Sequence, residues 1–196
     1  SHLGELVGEG VVSGAEWLQD VLLVDQSPIG RSPRSNPVTY VKAFDEVRKL
    51  FADAPLARQR RYTPSTFSFN VTGGRCEHCE GAGYLEVEMV FMADVFVPCE
   101  ECGGKRFKPE VLEVLVHGKN IYDVLQMTVD QAIRFFPYEE KLGQALWQLQ
   151  QVGLGYLRLG QPATTLSGGE AQRIKIAREL ALAKRTGGKK LYIMDE

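Results

Sequence analysis

Ser167, Gly168 and Gly169 stand together where a hydroxyl and a backbone without Cβ atoms can come close to an anion. A helix opening there adds free N–H groups and a positive dipole end, so the chemistry offered is the holding of phosphate. Glu170 completes the stretch Leu166-Ser167-Gly168-Gly169-Glu170, and Ala171-Gln172-Arg173 follows it. Further on, Leu191-Tyr192-Ile193-Met194-Asp195-Glu196 reads as a buried strand ending in two carboxylates. Asp195 would hold magnesium through water, and Glu196 would orient or deprotonate an attacking water. Gln26 follows the apolar run Val21 to Val24, where its amide can reach the same ion or water. The candidate catalytic residues are therefore Gln26, Asp195 and Glu196. The candidate nucleotide-binding residues are Ser167, Gly168, Gly169 and Glu170.

A second chemistry lies in the cysteines. All four fall into two C-x-x-C pairs, Cys76/Cys79 and Cys99/Cys102, with Glu80 to Pro98 between them. Each pair can place two thiolates on one metal from a tight turn, and Gly81 and Gly104 allow the left-handed backbone such turns require. Two pairs make the closed tetrahedral sulfur site of structural zinc. A four-sulfur iron site uses the same ligands. Disulfides are disfavoured because the N-terminus has no secretory signal. His78 lies inside the first turn and is expected to be solvated, since structural zinc closes at four ligands.

Several elements must position these groups. Val21–Val24 reads as a short buried strand. Asp25–Pro37, with Pro28, Gly30, Pro33 and Pro37, is a polar loop. Val41, Phe44, Val47 and Leu50 recur at a helical period over Val41–Phe51. Ala54–Pro64 reads as a basic linker. Tyr84–Val97 reads as a β-hairpin, with Glu86 and Glu88 on one face, Leu85, Val87 and Met89 on the other, and Phe91 and Met92 near the tip. Glu110–Val116 alternates as a strand does, and Gly118 turns the chain after it. Asn120 caps a short helix through Gln126, and Thr128 with Gln131 opens another to about Phe136. Tyr138–Val152 is a longer helix with Leu142, Leu146, Trp147 and Leu149 on or near one face. Glu170–Lys184 is helical and leads into the last strand.

The chain has 196 residues, 44% of them apolar and 24% charged, as in an ordinary soluble globular protein. No run approaches the length of a membrane span. Ser1 is not a natural start, and the chain stops directly after Asp195-Glu196, so it reads as a fragment of a longer protein. Net charge is −2, and its distribution says more. Seven acids and no Lys or Arg lie between Cys76 and Cys102, whereas four arginines and no acid lie from Arg58 to Arg75. An acidic insert does not grip a phosphate backbone. If this region binds DNA, the flanking Arg61, Arg75, Lys105, Arg106 and Lys108 supply the charge. No G-x-x-x-x-G-K-[ST] loop exists: the Gly-Lys pairs are followed by Arg106, Asn120 and Lys190. The chain alone is thus expected to bind ATP weakly or not at all.

The Leu166–Glu170 stretch and the strand ending at Asp195-Glu196 resemble the signature motif and Walker B strand of the ABC-type ATPases. Asp25-Gln26-Ser27-Pro28-Ile29-Gly30-Arg31-Ser32-Pro33-Arg34-Ser35-Asn36-Pro37 narrows this further. So do Phe67-Ser68-Phe69-Asn70-Val71-Thr72-Gly73-Gly74-Arg75-Cys76, both cysteine turns and Gly160-Gln161-Pro162-Ala163-Thr164-Thr165. Together they resemble the second, C-terminal ATPase half of the UvrA family, the damage sensors of bacterial nucleotide excision repair, over roughly residues 21–196. The resemblance implies an α/β fold with a mostly helical insertion. This is a partial ABC ATPase nucleotide-binding domain, interrupted by a signature domain that carries a four-cysteine zinc module. Residues 1–40 would be part of the ATPase core with the Q-loop. Residues 41–160 would be the insertion, including the zinc module at 76–102. Residues 161–196 would carry the signature motif, its helix and the Walker B strand.

The same resemblance implies a cytoplasmic protein that dimerises, uses ATP and Mg2+ with structural Zn2+, binds damaged double-stranded DNA and hands it to UvrB. Ser167 and Gly169 would then contact ATP held by a different nucleotide domain, while Gln26, Asp195 and Glu196 serve their own. Arg75 and Lys105–Lys108 fall where that family contacts or senses DNA. Two other readings compete: a UvrA-like paralogue that protects its producer from a DNA-binding drug, and a zinc-dependent binding module like that of the DnaJ-type chaperones, without ATPase activity. The Leu166–Glu170 motif argues against the last, because a chaperone zinc module has no need of it.

Overall fold

The apolar residues at helical spacing build a helical body, and two short strand pairs flank it. The computed structural model describes residues 15–89, 95–186 and 189–194. After a 3₁₀ turn at Ala15–Trp17, strand β1 (Asp20–Val24) leads into the polar loop. Three short helices follow: α1 (Pro37–Tyr40), α2 (Phe44–Asp53) and α3 (Pro55–Gln59). The hairpin strands β2 (Tyr84–Val87) and β3 (Val95–Pro98) pair antiparallel, with Leu85 opposite Val97. Then come α4 (Pro109–Leu112), α5 (Ile121–Gln126), α6 (Val129–Phe135) and α7 (Glu140–Gln151). The long α8 (Gly168–Thr186) returns the chain to β4 (Lys190–Met194), which pairs parallel with β1 from Asp20↔Lys190 to Val24↔Met194.

Local chemistry sets most of these boundaries. The Asn120 side chain accepts from the Asp123 N–H at 2.8 Å, and Asp123 accepts in return from the Asn120 N–H. Thr128 and Gln131 form the same reciprocal box at the start of α6. In α2, Phe44, Val47 and Phe51 are buried, and in α7 so are Leu142, Leu146 and Leu149. One continuous apolar core runs from Val38 through these helices to Ile174 and Ala177 on α8. Phe44 stacks on Phe69 with centroids 4.9 Å apart, which ties the segment before the cysteines to this core.

Four expectations need correction. Glu110–Val116 is not a strand. Pro109 starts the helical turn α4, and Val111 and Val114 are buried three residues apart, as helical turns rather than strand alternation dictate. Only Val116 keeps a bridge, to Lys119. Ala54–Pro64 is not all linker: Pro55 at the first helical position opens α3 and buries Ala57 completely. Trp147 is 45% exposed, because it stands one residue off the 142/146/149 stripe. The two strands expected to be buried are largely open, with Leu23 67% and Ile193 47% exposed, while among their described residues Val24 alone is sealed in. Phe91 and Met92, proposed for the hairpin tip, lie outside the described residues.

The stripe makes a direct prediction. Leu146→Ala should lower the unfolding free energy by about 2–5 kcal/mol, and Trp147→Ala by clearly less. Urea unfolding of the two variants followed by circular dichroism measures the difference.

Candidate metal centre and the motif at the start of α8

Each cysteine pair sits on a turn that points its sulfurs inward. In the first, the N–H of Gly81 donates to the Cys76 carbonyl at 3.1 Å and that of Ala82 to the Cys79 carbonyl at 2.9 Å. In the second, Gly104 donates to the Cys99 carbonyl at 3.2 Å and Lys105 to the Cys102 carbonyl at 3.0 Å. Gly81 and Gly104 take φ of +80° and +77°, where a side chain is strained. At Gly81 a Cβ would also lie 2.1 Å from the Phe69 carbonyl oxygen, so glycine is required there twice over. The Cys76 N–H donates to the Arg106 carbonyl at 2.8 Å and the Lys108 N–H to the Gly74 carbonyl at 2.9 Å, which closes the module at its base.

The four sulfurs all lie within 4.8 Å of one another. Cys76 and Cys99 are 4.0 Å apart at Sγ, and Cys79 and Cys102 are 3.7 Å apart. Zinc bound tetrahedrally at a Zn–S distance near 2.3 Å needs sulfur separations of about 3.8 Å. The donor set and its spacing are therefore compatible with structural zinc. Among the described residues, Leu85 is the apolar side chain that packs against the cysteines. Burial pushes the Cys79 thiol up to about 12, and a bound cation is what would make it a ligating thiolate. His78 is exposed, 3.9 Å from Glu101, and stands outside the sulfur set.

At the start of α8, Ser167 is the N-cap. Its Oγ accepts from the Glu170 N–H at 3.2 Å, and Glu170 Oε2 accepts from the Ser167 N–H at 2.8 Å. Because the Ser167 hydroxyl accepts here, its own proton stays available to a ligand oxygen. Glu170 Oε1 accepts from the Tyr156 hydroxyl at 2.7 Å, and that bond, followed by those from Ser167, holds its carboxyl below the usual range. A Cβ on Gly169 would meet nothing within 4 Å, whereas one on Gly168 would lie 2.7 Å from Gln26 Oε1. The structure thus brings Gln26 against Gly168, within one chain.

Two further residues hold this junction, and neither was singled out for the site from the sequence. Gln172 Nε2 donates to the Val24 carbonyl at 2.9 Å. Lys175 pairs with the Asp25 carboxylate and also donates to Asp25 O at 3.2 Å and Ser27 Oγ at 2.7 Å. Gly168, Gln172 and Lys175 fall on one helix face at spacings of four and three, the signal that points to them. Asp195 and Glu196 lie outside the described residues.

The basic candidates divide. Arg61 and Lys105 are exposed. Lys108 pairs with Glu77 at 2.5 Å. Arg75 donates to the Asn70 carbonyl at 3.3 Å and lies 3.7 Å from Glu80. Arg106 is turned inward and only 5% exposed. Among the described residues no helix is long and apolar enough to cross a membrane.

Fold and site define a mixed α/β protein with a four-cysteine cluster fitted to a single metal ion. No protein-family model matches the chain. It is 56% identical over 193 residues to UvrABC system protein A of Aquifex aeolicus, covering 98% of this chain and 21% of that protein. It is 57% identical over 185 residues to that of Vitreoscilla stercoraria, covering 94% and 32%. The crystal structure of UvrA2 from Deinococcus radiodurans superimposes with a TM-score of 0.87 at 56% identity, covering 92% of this chain and 22% of that one. The chain belongs to the UvrA family, and it spans a third or less of the length of these relatives.

Two measurements follow. The purified chain should carry about one zinc per molecule, and Cys99→Ser should lose both the metal and thermal stability; metal analysis finding none in chelator-free protein would contradict the assignment. Lys175 and the Ser27 hydroxyl draw the Asp25 carboxyl from 3.8 down to about 2. A depressed folded-state value means that this contact contributes fully above about 4 and is lost as pH falls through about 2. Carboxyl carbon NMR should therefore place the Asp25 midpoint near 2, and Lys175→Met should raise it towards 3.8.

Proposed function

We propose that the chain is part of an ATP-dependent DNA-damage recognition protein of nucleotide excision repair. In this reading it supplies the signature motif and the Q-loop of the second ATPase half. The motif at the start of α8 is presented to a nucleotide held by another domain, where the open face of Gly169, the Ser167 proton and the helix N-terminus meet its phosphates. Gln26, Asp195 and Glu196 serve magnesium and the attacking water of their own domain. The complete protein works in the cytoplasm as a dimer with composite sites, binds damaged double-stranded DNA and passes it to UvrB. The division into residues 1–40, 41–160 and 161–196 belongs to the same proposal.

The observation that carries it is the extent of the match: 54% to 57% identity over at least 94% of the chain, in order, to UvrABC system protein A from several organisms. The exposed Ser167 and the unobstructed Gly169 support the composite-site half of the reading. The adjacency of Gln26 to Gly168 means that any movement of the α8 start is felt at the Q-loop, a coupling suited to a site closed by two domains.

For DNA, Arg61 and Lys105 are the exposed candidates. Arg75 and Lys108 would first have to give up Glu80 and Glu77.

The isolated chain should show no ATP turnover above background, and robust turnover would refute the composite site. In the complete protein, Glu196→Gln should still bind ATP while hydrolysis falls by about two orders of magnitude or more. Unchanged turnover in a phosphate-release assay would remove Glu196 from catalysis.

A further inference from the structure

Arg106 is the only charged side chain that is buried among the described residues. Its Nη2 donates to the Gly160 carbonyl at 3.2 Å, and its guanidinium lies 5.2 Å from the centre of the Phe69 ring. Nη1 is shielded from solvent and has no acceptor. Among the described residues no carboxylate forms an ion pair with it. The nearby groups that favour its charge are the phenols of Tyr84 and Tyr122 and the thiols of Cys79 and Cys102. A buried guanidinium with one neutral acceptor, and with no carboxylate partner among the described residues, is costly, and an arrangement that keeps one has a use for it.

Beside Arg106 lies a cavity of about 420 Å³. Its walls include Arg106, Arg158, Tyr84, Tyr122, Gln126 and Gln161, and no Asp or Glu among the described residues. Arg158 is exposed, and its Nη1 donates to Gln126 Oε1 at 3.5 Å. The backbone is shaped to the space. A Cβ on Gly83 would lie 3.0 Å from the Arg106 side chain and 2.8 Å from the Gly104 carbonyl, and one on Gly160 would lie 2.9 Å from Leu125. Three parts of the fold meet here: the cysteine module, α5, and the segment that runs into Leu166–Glu170.

We propose that this cavity binds a phosphate-class oxyanion, gripped by Arg106 from within and by Arg158 from the mouth, with the Tyr84, Tyr122, Gln126 and Gln161 side chains as further donors. Two guanidinium forks without a competing carboxylate select a polyatomic anion over a cation or a neutral ligand. The anion supplies the acceptor that Arg106 Nη1 lacks among the described residues. It also joins the cysteine module to the segment before α8. The same chemistry can come from a free phosphate or from the backbone of a nucleic acid. The site does not depend on the nucleotide chemistry proposed above, since none of its residues belongs to the Leu166–Glu170 motif.

The test uses the 196-residue chain and follows the ring NMR signals of Tyr84 and Tyr122. Inorganic phosphate is titrated against chloride at matched ionic strength, and a short DNA duplex is titrated separately. Saturable shifts are expected, with an affinity about tenfold weaker in Arg158→Gln. Arg158 is exposed, so this variant keeps the fold even where Arg106→Gln does not. Shifts with inorganic phosphate assign a small-anion site, and shifts with the duplex alone assign a backbone phosphate. Ring signals indifferent to both, or an affinity unchanged in Arg158→Gln, would overturn the proposal.

Discussion

Burial of one shared apolar core is the constraint on which the rest of this chain depends. Helices α1 to α7 run from four to twelve residues, below the length at which a helix sustains itself in water. They persist because each gives one to three buried side chains to a common interior that reaches from Val38 to Ala177. Each fully buried Leu, Ile or Phe contributes about 1.5–3 kcal/mol, which short helices cannot replace with backbone bonds alone. That core fixes where Phe69 lies, and Phe69 in turn receives Gly81 of the first cysteine turn and the guanidinium of Arg106.

The cysteine module is held by a different force. Among the described residues Leu85 is its one packed aliphatic side chain, and the hairpin strand β3 is exposed along its whole length. Such a piece has too little apolar surface to order itself, and four converging sulfurs are the remaining source of order. The module is nevertheless not a loose appendage. Cys76 and Lys108 are bonded into its base, and Arg106 carries its end into the body of the protein at Gly160. A metal bound at the sulfurs would therefore also steady the residues that lead towards α8.

At the other end, α8 is the beam that connects the core to the parallel strand pair. Its buried face of Ala171, Ile174 and Ala177 belongs to the core. Its Gly168, Gln172 and Lys175 face the end of β1 and the loop after it. The helix start is thus clamped between Tyr156, which bonds Glu170, and Gln26, which lies on Gly168. Positioning of the Ser-Gly-Gly turn follows from packing on both sides rather than from the turn itself.

Much of this was legible in the chain. The two C-x-x-C turns, the Asn120 and Thr128 caps, the hairpin and the 142/146/149 stripe follow from interactions within a few residues, and spacing reports those directly. The Ser167–Glu170 cap carries the same S-x-x-E signal, in a stretch whose glycines also point to phosphate. What sequence order could not convey was which distant backbone each polar group would meet. Lys175 bonds Asp25 across 150 positions and Arg106 bonds Gly160 across 54. Likewise, Glu110–Val116 alternates like a strand but has no strand to pair with where the core places it, so it turns as a helix. Local chemistry, acting over one or two turns, is written in the order of residues. The burial of Arg106 and the docking of Gln26 on Gly168 were decided only when the core closed and brought those segments together.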